Sequence, residues 1–464
     1  MLKLRSFICI LLLPMFLIAC SNNLLSQKEK TNHISSKQIA KAIAPFLPTG
    51  AKWTSPKFGK IRTPFFAADL NHDQQAEGIG LFKAQNQLGI IIIEKEGQKW
   101  KKIEQRTFAG DQFQLAGAED LTGDTLPEII LSMQGETELE AQTKVLQWSK
   151  QHTLSPILDE KTSASVLDDL DQDHQPDLIV FQQLPDMKTE MILYKPYQHK
   201  LHIKDAKKID GSVEMSYITV GKVQKNRQGI VADIFQGAHG GKAGIFYIQK
   251  GKLYDAFDSL NSEQNNRLYN VKSQDINHDG IIDIAFTEMV NNSQSLSNAE
   301  QPSIYSWYNW SENNQLKLVY EQYVDDILGL RISYPAQWRG KIRASINPDT
   351  RTISFGLPLP QNKLTLLIMA EISAVKKSDW PKLKQSFDAY KEIGTFDYSI
   401  LSNQGNTVYI ATIYNKKAAQ QMNAGATYDQ AEQSGMIPTH SSLKKWIEIY
   451  HDAYQEYLRL PELP

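Results

Sequence analysis

Short runs of apolar or alternating residues, separated by turn residues, dominate the first two thirds of the chain. Six of these runs have the length and composition of β-strands, and they lie at residues 88–93, 128–132, 177–181, 191–194, 245–249 and 283–287. Turn signals such as Glu96-Gly97 and Lys250-Gly251 separate neighbouring runs. Many short strands at regular spacing predict an all-β propeller or sandwich.

The pattern changes near residue 326, where strands begin to be followed by helices. Strands are predicted at 330–334, 342–347, 352–357 and 365–372, then a helix at 378–392 and a hairpin of 398–402 and 408–414. A last helix is predicted at 441–459, with Leu443, Trp446 and Tyr450 on one face. This order predicts a separate, small α+β domain over residues 326–464.

One nine-residue acidic segment occurs four times, beginning at Asp69, Asp120, Asp169 and Asp275. In each copy an aliphatic residue follows the first aspartate, a second aspartate stands at the fifth position, and an acid stands at the ninth. The copies start 51, 49 and 106 residues apart. A period near fifty indicates a repeated unit that needs its neighbours to bury a core. The double interval predicts a further copy near residue 222 that has kept its turn and strand but lost its acids.

The four segments resemble the FG-GAP and VCBS repeats of β-propellers, including those of integrin α-chains. The resemblance covers residues 60–290 and departs from the family at Thr122, where Asp or Asn is usual, and at Glu77 and Glu128, which end the first two copies. It implies a mainly β fold: an FG-GAP-like β-propeller of five to six blades over residues 37–325, followed by the small α+β domain. In that second domain, residues 332–343 resemble the opening of PsbP-like domains.

The acids of each segment are expected to converge when the loop curls, and a hard cation with six to eight oxygen ligands would neutralise them. We expect Ca²⁺, because it suits a flexible all-oxygen site better than Mg²⁺ does. The expected ligands are Asp69, Asn71, Asp73 and Glu77; Asp120, Asp124 and Glu128; Asp169, Asp171, Asp173 and Asp177; and Asp275, Asn277, Asp279 and Asp283. An EF-hand needs an acid at its twelfth position, where these segments have Gly80, Leu131, Val180 and Phe286. The alternative is that the acids only cap tight turns.

The first twenty residues have the pattern of an export signal. Lys3 and Arg5 precede an apolar run at 7–18, which is too short to span a bilayer comfortably and ends in Leu17-Ile18-Ala19-Cys20. This ending resembles the lipobox of bacterial lipoproteins, which implies a signal peptide of residues 1–19 and a lipid, such as palmitate, on Cys20. Residues 20–36 are then a flexible tether. The alternative is an ordinary signal peptide or a membrane anchor with a chance cysteine.

The cysteine count, the net charge and the absence of catalytic motifs narrow the possible classes of function. Cys9 and Cys20 are the two cysteines, so the mature chain is expected to have no disulfide and no thiol chemistry. The formal net charge of −2, with no basic stripe, disfavours nucleic acid as a partner. No HExxH, GxSxG, P-loop or GxGxxG motif occurs, and Ala238-His239-Gly240-Gly241 stands without a nucleophile motif. The aromatic run at 303–310 is predicted to be a last propeller strand, with a carbohydrate-stacking platform as the alternative.

These patterns together predict a lipoprotein of the bacterial cell envelope, anchored in a membrane and facing the periplasm or the outside. The expected function is binding, adhesion or scaffolding on a calcium-stabilised propeller, with an unidentified protein or polysaccharide as ligand, and not catalysis. The alternative is an envelope hydrolase or lyase with its site on the top face of the propeller. The sequence offers no residues for that site.

Overall fold

The computed structural model describes residues 34–451 apart from 136–139, 150–152, 238–239, 259, 261–265, 268–270 and 298. The fold is mainly β, as the sequence predicts. The described strands form six antiparallel sheets, and each of the first four sheets is built from one contiguous stretch of chain. The predicted lipidation residue, Cys20, and the signal peptide lie outside the described residues. Within the described residues, no helix is both long enough and apolar enough to cross a membrane.

The sheets follow the chain in order, after a first helix, α1, at Ser36–Ile43. Sheet 1 contains β1 (Lys52–Trp53), β2 (Phe65–Ala68), β3 (Glu77–Ala84), β4 (Gln87–Glu96) and β5 (Lys99–Ala109). Sheet 2 contains β6 (Gln112–Glu119), β7 (Glu128–Gln134), β8 (Ala141–Trp148) and β9 (Leu154–Thr162). Sheet 3 contains β10 (Ala164–Asp168), β11 (Asp177–Gln183), β12 (Thr189–Tyr197) and β13 (Lys200–Ile209).

Sheet 4 contains β14 (Ile218–Gln224), β15 (Arg227–Phe235), β16 (Gly241–Gln249), β17 (Lys252–Asp255) and β18 (Asn266–Arg267). Sheet 5 begins with β19 (Ile284–Met289), β20 (Ser303–Trp310), β21 (Leu316–Asp325) and β22 (Leu330–Ser333). Sheet 6 contains β23 (Arg343–Asn347), β24 (Thr352–Leu359), β25 (Asn362–Lys376), β26 (Phe396–Gln404) and β27 (Thr407–Tyr414). The later helices are α2 (Trp380–Ile393), α3 (Lys416–Gln421), α4 (Gly425–Gln433) and α5 (His440–Trp446), and β28 (Ile447–Ile449) then pairs with β22 in sheet 5.

Hydrophobic cores lie between consecutive sheets. Clusters of buried apolar side chains join sheet 1 to sheet 2, 2 to 3, 3 to 4, 4 to 5, and 5 to 6. Strand β4 is buried on both faces, as its four isoleucines at 90–93 show. Ile90 and Ile92 belong to the core shared with sheet 2, whereas Ile91 and Ile93 face α1. A strand buried on both faces is apolar at every position and does not alternate.

Helices cover the two ends of this series of sheets. Helix α1 begins with a capping box formed by Ser35 and Gln38, and it buries Ile39 and Ile43 against sheet 1. The close approach depends on Gly80 of β3, where a Cβ atom would lie 2.6 Å from Cδ1 of Ile43. At the other end, α2 packs Leu383 and Phe387 against sheet 6. One face of sheet 1 thus packs against α1 and not against another sheet. Closure of the sheets into a propeller ring therefore stays a prediction.

The predicted boundary at residues 325 and 326 falls inside sheet 5. Strand β21 ends at Asp325, and β22, its neighbour in the same sheet, lies beyond the boundary. Asp325 is buried and forms an ion pair with the buried Arg351, whose guanidinium lies 3.0 Å from Oδ1. One hydrophobic core, which includes Tyr323 and Phe355, spans sheets 5 and 6. Residues on both sides of the boundary thus share a sheet and a core.

The elements predicted after residue 326 are present with one correction. Strands β22 to β25, helix α2 and the hairpin of β26 and β27 all match the sequence pattern. The prediction of one helix over 441–459 is wrong from residue 447, because α5 ends at Trp446 and residues 447–449 form β28. The rest of that range beyond residue 451 lies outside the described residues. Trp307 and Trp310 of β20 are buried, so they pack inside the protein as a strand prediction requires.

Candidate functional site

The four acidic segments occupy equivalent places in their sheets. Loop 1 (residues 69–77) connects β2 and β3 of sheet 1, and loop 2 (120–128) and loop 3 (169–177) connect the first and second strands of sheets 2 and 3. Loop 4 (275–283) leads into β19, and Gln274 pairs with Asp283 where the first strand of sheet 5 would be. In sheet 4 the tight turn between Gln224 and Arg227 stands at this place, which agrees with the predicted copy that lost its acids.

The first and fifth residues fold each loop through hydrogen bonds to its own backbone. The carboxylates of Asp69, Asp169 and Asp275 accept from the N–H groups of the fifth and sixth loop residues at 2.9–3.2 Å. The fifth-position aspartates accept from the N–H of the seventh residue at 2.8–2.9 Å. These bonds are the turn capping that the alternative interpretation requires. They also leave lone pairs on the same oxygens for a cation.

Positive backbone φ angles explain part of the sequence pattern. The fourth and sixth residues of all four loops have φ between 59° and 83°. Gly123 and Gly280 meet this demand without strain, and histidines fill three of the other positions: His72, His174 and His278. The three histidine side chains are exposed, and Nδ1 of His174 lies 4.0 Å from Oδ2 of Asp169.

The ninth residue of each loop is the buried one. Its carboxylate accepts a hydrogen bond from the N–H of the second loop residue, at 2.7 Å for Glu77, 2.9 Å for Glu128, 2.8 Å for Asp177 and 3.0 Å for Asp283. Burial, and then the neighbouring loop carboxylates, raise the pKa of Glu77 and Glu128 to about 7 and that of Asp177 and Asp283 to about 6. A cation placed among these oxygens would offset the repulsion between the negatively charged carboxylates of the loop.

The strand that follows each loop-bearing strand places one residue opposite the ninth loop position, and this residue differs in every loop. It is Glu94 for loop 1, Gln147 for loop 2, Lys195 for loop 3 and Asn309 for loop 4, each one step beyond the last paired residue of the neighbouring strands. Asn309 donates to Asp283, Gln147 donates to Asp124 at 3.4 Å, and the charge of Glu94 contributes to the raised pKa of Glu77. Sequence reasoning missed these four residues, because only strand register shows that they face the loops.

Loop 3 holds a cationic side chain of the protein itself. Nζ of Lys195 lies 2.5 Å from Oδ1 of Asp177, 3.1 Å from Oδ2 of Asp173 and 3.3 Å from Oδ1 of Asp171. Burial alone would lower the pKa of Lys195, but its hydrogen bond to Asp177 and the other carboxylates raise it to about 12. In the described part of the chain, the carboxylate oxygens of Asp169, Asp171 and Asp177 lie within 4.8 Å of one another.

Loop 2 differs from the other three loops at its third position, where they have Asn or Asp. Thr122 stands at its third position, and its hydroxyl oxygen lies 3.2 Å from Oε1 of Glu128. The first carboxylate, that of Asp120, accepts from Gly123 and Thr125 at 2.7 and 2.8 Å. Only Asp120, Asp124 and Glu128 can supply carboxylate oxygens there, as the sequence predicts. Whether any of the four loops binds Ca²⁺ stays a prediction.

A serine, a histidine and an aspartate also meet on sheet 6, where the sequence shows no motif. Oγ of Ser399 lies 2.7 Å from Nδ1 of His440, and Nε2 of the same ring lies 3.5 Å from Oδ2 of Asp397. Asp397 is 54% exposed, and its other oxygen pairs with Lys391 at 2.5 Å. The residues Ala238 and His239, which begin the other motif considered from the sequence, lie outside the described residues.

Comparison with known proteins gives little more than this geometry. No family model matches the chain, and no curated protein matches it. A solved structure of a protein from Lactobacillus plantarum is similar over 67% of this chain and 84% of its own, with 9% identity and a TM-score of 0.29. The exotype rhamnogalacturonan lyase YesX is similar over 68% of this chain and 67% of its own, with 11% identity and a TM-score of 0.27. Similarity at this level carries no argument about what this chain binds or catalyses.

Proposed function

We propose that this chain is a binding and scaffolding module of the bacterial cell envelope, held to a membrane by a lipid on Cys20. In this proposal the sheets form an FG-GAP-like propeller whose acidic loops take up Ca²⁺, and a protein or polysaccharide is the ligand. The observation that carries the proposal is the common construction of the four loops. Each curls around its first aspartate and ends in a buried carboxylate that accepts the N–H of the second loop residue.

Loops 1 and 4 are the strongest candidates for Ca²⁺. Loop 1 brings together Asp69, Asn71, Asp73 and Glu77, and Glu94 adds charge from the adjacent strand. Loop 4 brings together Asp275, Asn277, Asp279 and Asp283, and its neighbour on β20 is the neutral Asn309. Both loops therefore offer four oxygen-bearing side chains toward the six to eight oxygen ligands that Ca²⁺ takes. Loop 2 offers three carboxylates and a hydroxyl, so its affinity is expected to be lower.

The test is the effect of Ca²⁺ on the stability of metal-stripped protein. A cation that binds only the folded state adds about 2.7 kcal/mol at a hundredfold excess over Kd, so the melting temperature should rise with Ca²⁺ and fall with chelator. Asp73→Ala and Asp279→Ala should each remove part of the gain, and Asp124→Ala should remove less. Titration calorimetry without heat, together with an unchanged melting temperature at millimolar Ca²⁺, would leave turn capping as the role of the loops.

The binding role is supported by the repetition of the acidic loop before the equivalent strand of sheets 1, 2, 3 and 5. Repeated loops of this kind offer several similar contact points and no single reaction centre. Crosslinking in intact cells, with a Cys20→Ser chain as the unanchored control, would identify the partner. Cys20→Ser should release the protein from the membrane or leave unprocessed precursor. Lipid-dependent partitioning of that variant into detergent would contradict the anchoring.

A second candidate function, hydrolysis by a serine nucleophile, is favoured by one observation: the contacts of Ser399, His440 and Asp397. In this arrangement His440 would take the proton from the serine hydroxyl, and Asp397 would orient the ring. The long distance to the exposed Asp397 is the reason that we rank it second. A fluorophosphonate probe should label Ser399, and Ser399→Ala should abolish the labelling, if the protein is a hydrolase. Absence of labelling would reject the candidate.

A further inference from the structure

Loop 3 differs from its three counterparts in one side chain. The residue opposite its ninth position, Lys195, carries a positive charge, whereas the equivalent residues Glu94, Gln147 and Asn309 are acidic or neutral. Loop 3 also has the most carboxylates of the four, with aspartates at its first, third, fifth and ninth positions. The loop with the greatest negative charge is therefore the one that has an ammonium group beside it.

The ammonium group lies where a bound cation would lie. Nζ of Lys195 lies within 3.3 Å of carboxylate oxygens from the third, fifth and ninth loop positions, Asp171, Asp173 and Asp177. The ammonium donates hydrogen bonds to Asp171 and Asp173 and forms an ion pair with the buried Asp177. A calcium ion would need the same oxygens at 2.3–2.6 Å, so the two cations compete for one position.

The surroundings hold Lys195 in this position. Lys195 projects from β12, an interior strand of sheet 3 that pairs with β11 on one side and β13 on the other. Its side chain is only 11% exposed, and the carboxylate of Asp177 that it contacts is fully buried. Withdrawal of the lysine would leave Asp177 without its counter-charge, and an unpaired buried charge is strongly destabilising.

We propose that the ammonium of Lys195 is the permanent cation of loop 3, and that this loop does not take up a divalent metal ion. Lys195 then sets the metal specificity of the loop, and sheet 3 keeps its loop structure when calcium is scarce. The inference rests on the proposed function in so far as it treats the four loops as cation sites. It divides them into loops that depend on Ca²⁺ and one loop that does not.

Counting the bound ions tests this directly. Equilibrium dialysis against radioactive Ca²⁺ would be carried out on the wild-type chain, on Lys195→Met and on Lys144→Met. Lys144 is the matched control, because its side chain is 14% exposed and pairs with one carboxylate, Asp159, at 2.6 Å outside the loops. We expect Lys195→Met to bind one more Ca²⁺ than the wild type, and Lys144→Met to bind the same number as the wild type. An equal number for wild type and Lys195→Met would overturn the inference.

The dialysis also separates failure of this inference from failure of the proposed function. A wild-type chain that binds no Ca²⁺ contradicts calcium binding by loops 1, 2 and 4, whereas one site gained on Lys195→Met still supports the role of Lys195. A wild-type chain that binds several ions, with none gained on substitution, supports the proposed function and rejects the inference.

A second measurement needs no variant, in case Lys195→Met does not fold. Acetylation of lysines on the native wild-type chain would be followed by mass spectrometry, in chelator and in millimolar Ca²⁺. Lys195 should react much more slowly than Lys60, whose side chain is 68% exposed, and the two solutions should give the same rate. Rapid acetylation of Lys195 in chelator, or acetylation that Ca²⁺ accelerates, would show that the ammonium does not hold the site and would overturn the inference.

Discussion

At the scale of single residues, two aspartates of sheet 4 differ in the groups that balance their charge. Asp233 is fully buried, and Arg267, which is also buried, pairs with it at 2.5 Å while Ser273 donates to it from both its N–H and its hydroxyl. Asp255 is partly buried and, among the described residues, accepts backbone hydrogen bonds from Phe257 at 2.9 Å and from Ile245 at 3.4 Å. Asp233 thus has a full counter-charge, whereas Asp255 has none in direct contact among the described residues.

The raised pKa of Asp255 leads us to expect that the stability of the protein depends on pH. Burial, and the charge of Asp258, raise its pKa from 3.8 to about 6, while its backbone hydrogen bonds and Lys207 act in the opposite direction. The folded state therefore binds this proton more tightly than the unfolded state, so the contribution of Asp255 is lost as pH rises from about 4 through 6. Asp255→Asn should leave stability unchanged at pH 4 and increase it by about 1–3 kcal/mol at pH 7.5.

Urea denaturation of both chains across this pH range would measure the effect. Asp111→Asn is the control, because the Asp111 side chain is 70% exposed, and its substitution should cause no comparable change. A stability difference between Asp255→Asn and wild type that stays constant from pH 4 to 7.5 would contradict the assignment.

At the scale of elements, packing decides what the local pattern leaves open. The strands of sheets 1 to 4 follow from their apolar runs, and the acid spacing gives the curled loops, because both depend on residues that are near in sequence. Strand β28 does not follow in this way, because Ile447 continues the helical spacing of Leu443 and Trp446, and yet residues 447–449 pair with the edge of β22. The residues opposite the loops, such as Lys195, depend on strand register and could not be read from spacing.

Helix α1 supplies a prediction at the same scale. Gly80→Ala would place a Cβ atom 2.6 Å from Ile43 and 3.0 Å from Trp53, so α1 must move away from sheet 1. We expect the free energy of unfolding to fall by about 1–3 kcal/mol, as for other overpacked cores, and trypsin to cleave faster at Lys41. Gly425→Ala is the control, since that residue lies in helix α4 at negative φ and its Cβ would meet only Gln420, at 3.3 Å. Unchanged cleavage at Lys41 in Gly80→Ala would contradict the packing of α1.

At the scale of the whole molecule, sheet 5 ties the C-terminal residues to the repeats. The sequence pattern alone predicts that a cut at residue 326 gives two independent pieces. The structure predicts instead that neither piece is stable alone, because the cut separates β21 from β22 and Asp325 from Arg351. Separate expression of residues 37–325 and 326–464 should give insoluble or unfolded pieces, and co-expression should recover a complex. Two soluble pieces with separate cooperative melting transitions would support the sequence-based boundary.

The pairing of β28 with β22 also matters while the chain is being made. Sheets 1 to 4 each come from one contiguous stretch and can close soon after synthesis, whereas Arg331 must wait for Glu448, its partner in the last strand. Until then β22 is an edge strand with unpaired backbone groups, which is a template for pairing with another chain. A nascent or truncated chain that ends before residue 447 thus carries a surface prone to aggregation, and the final strand removes it.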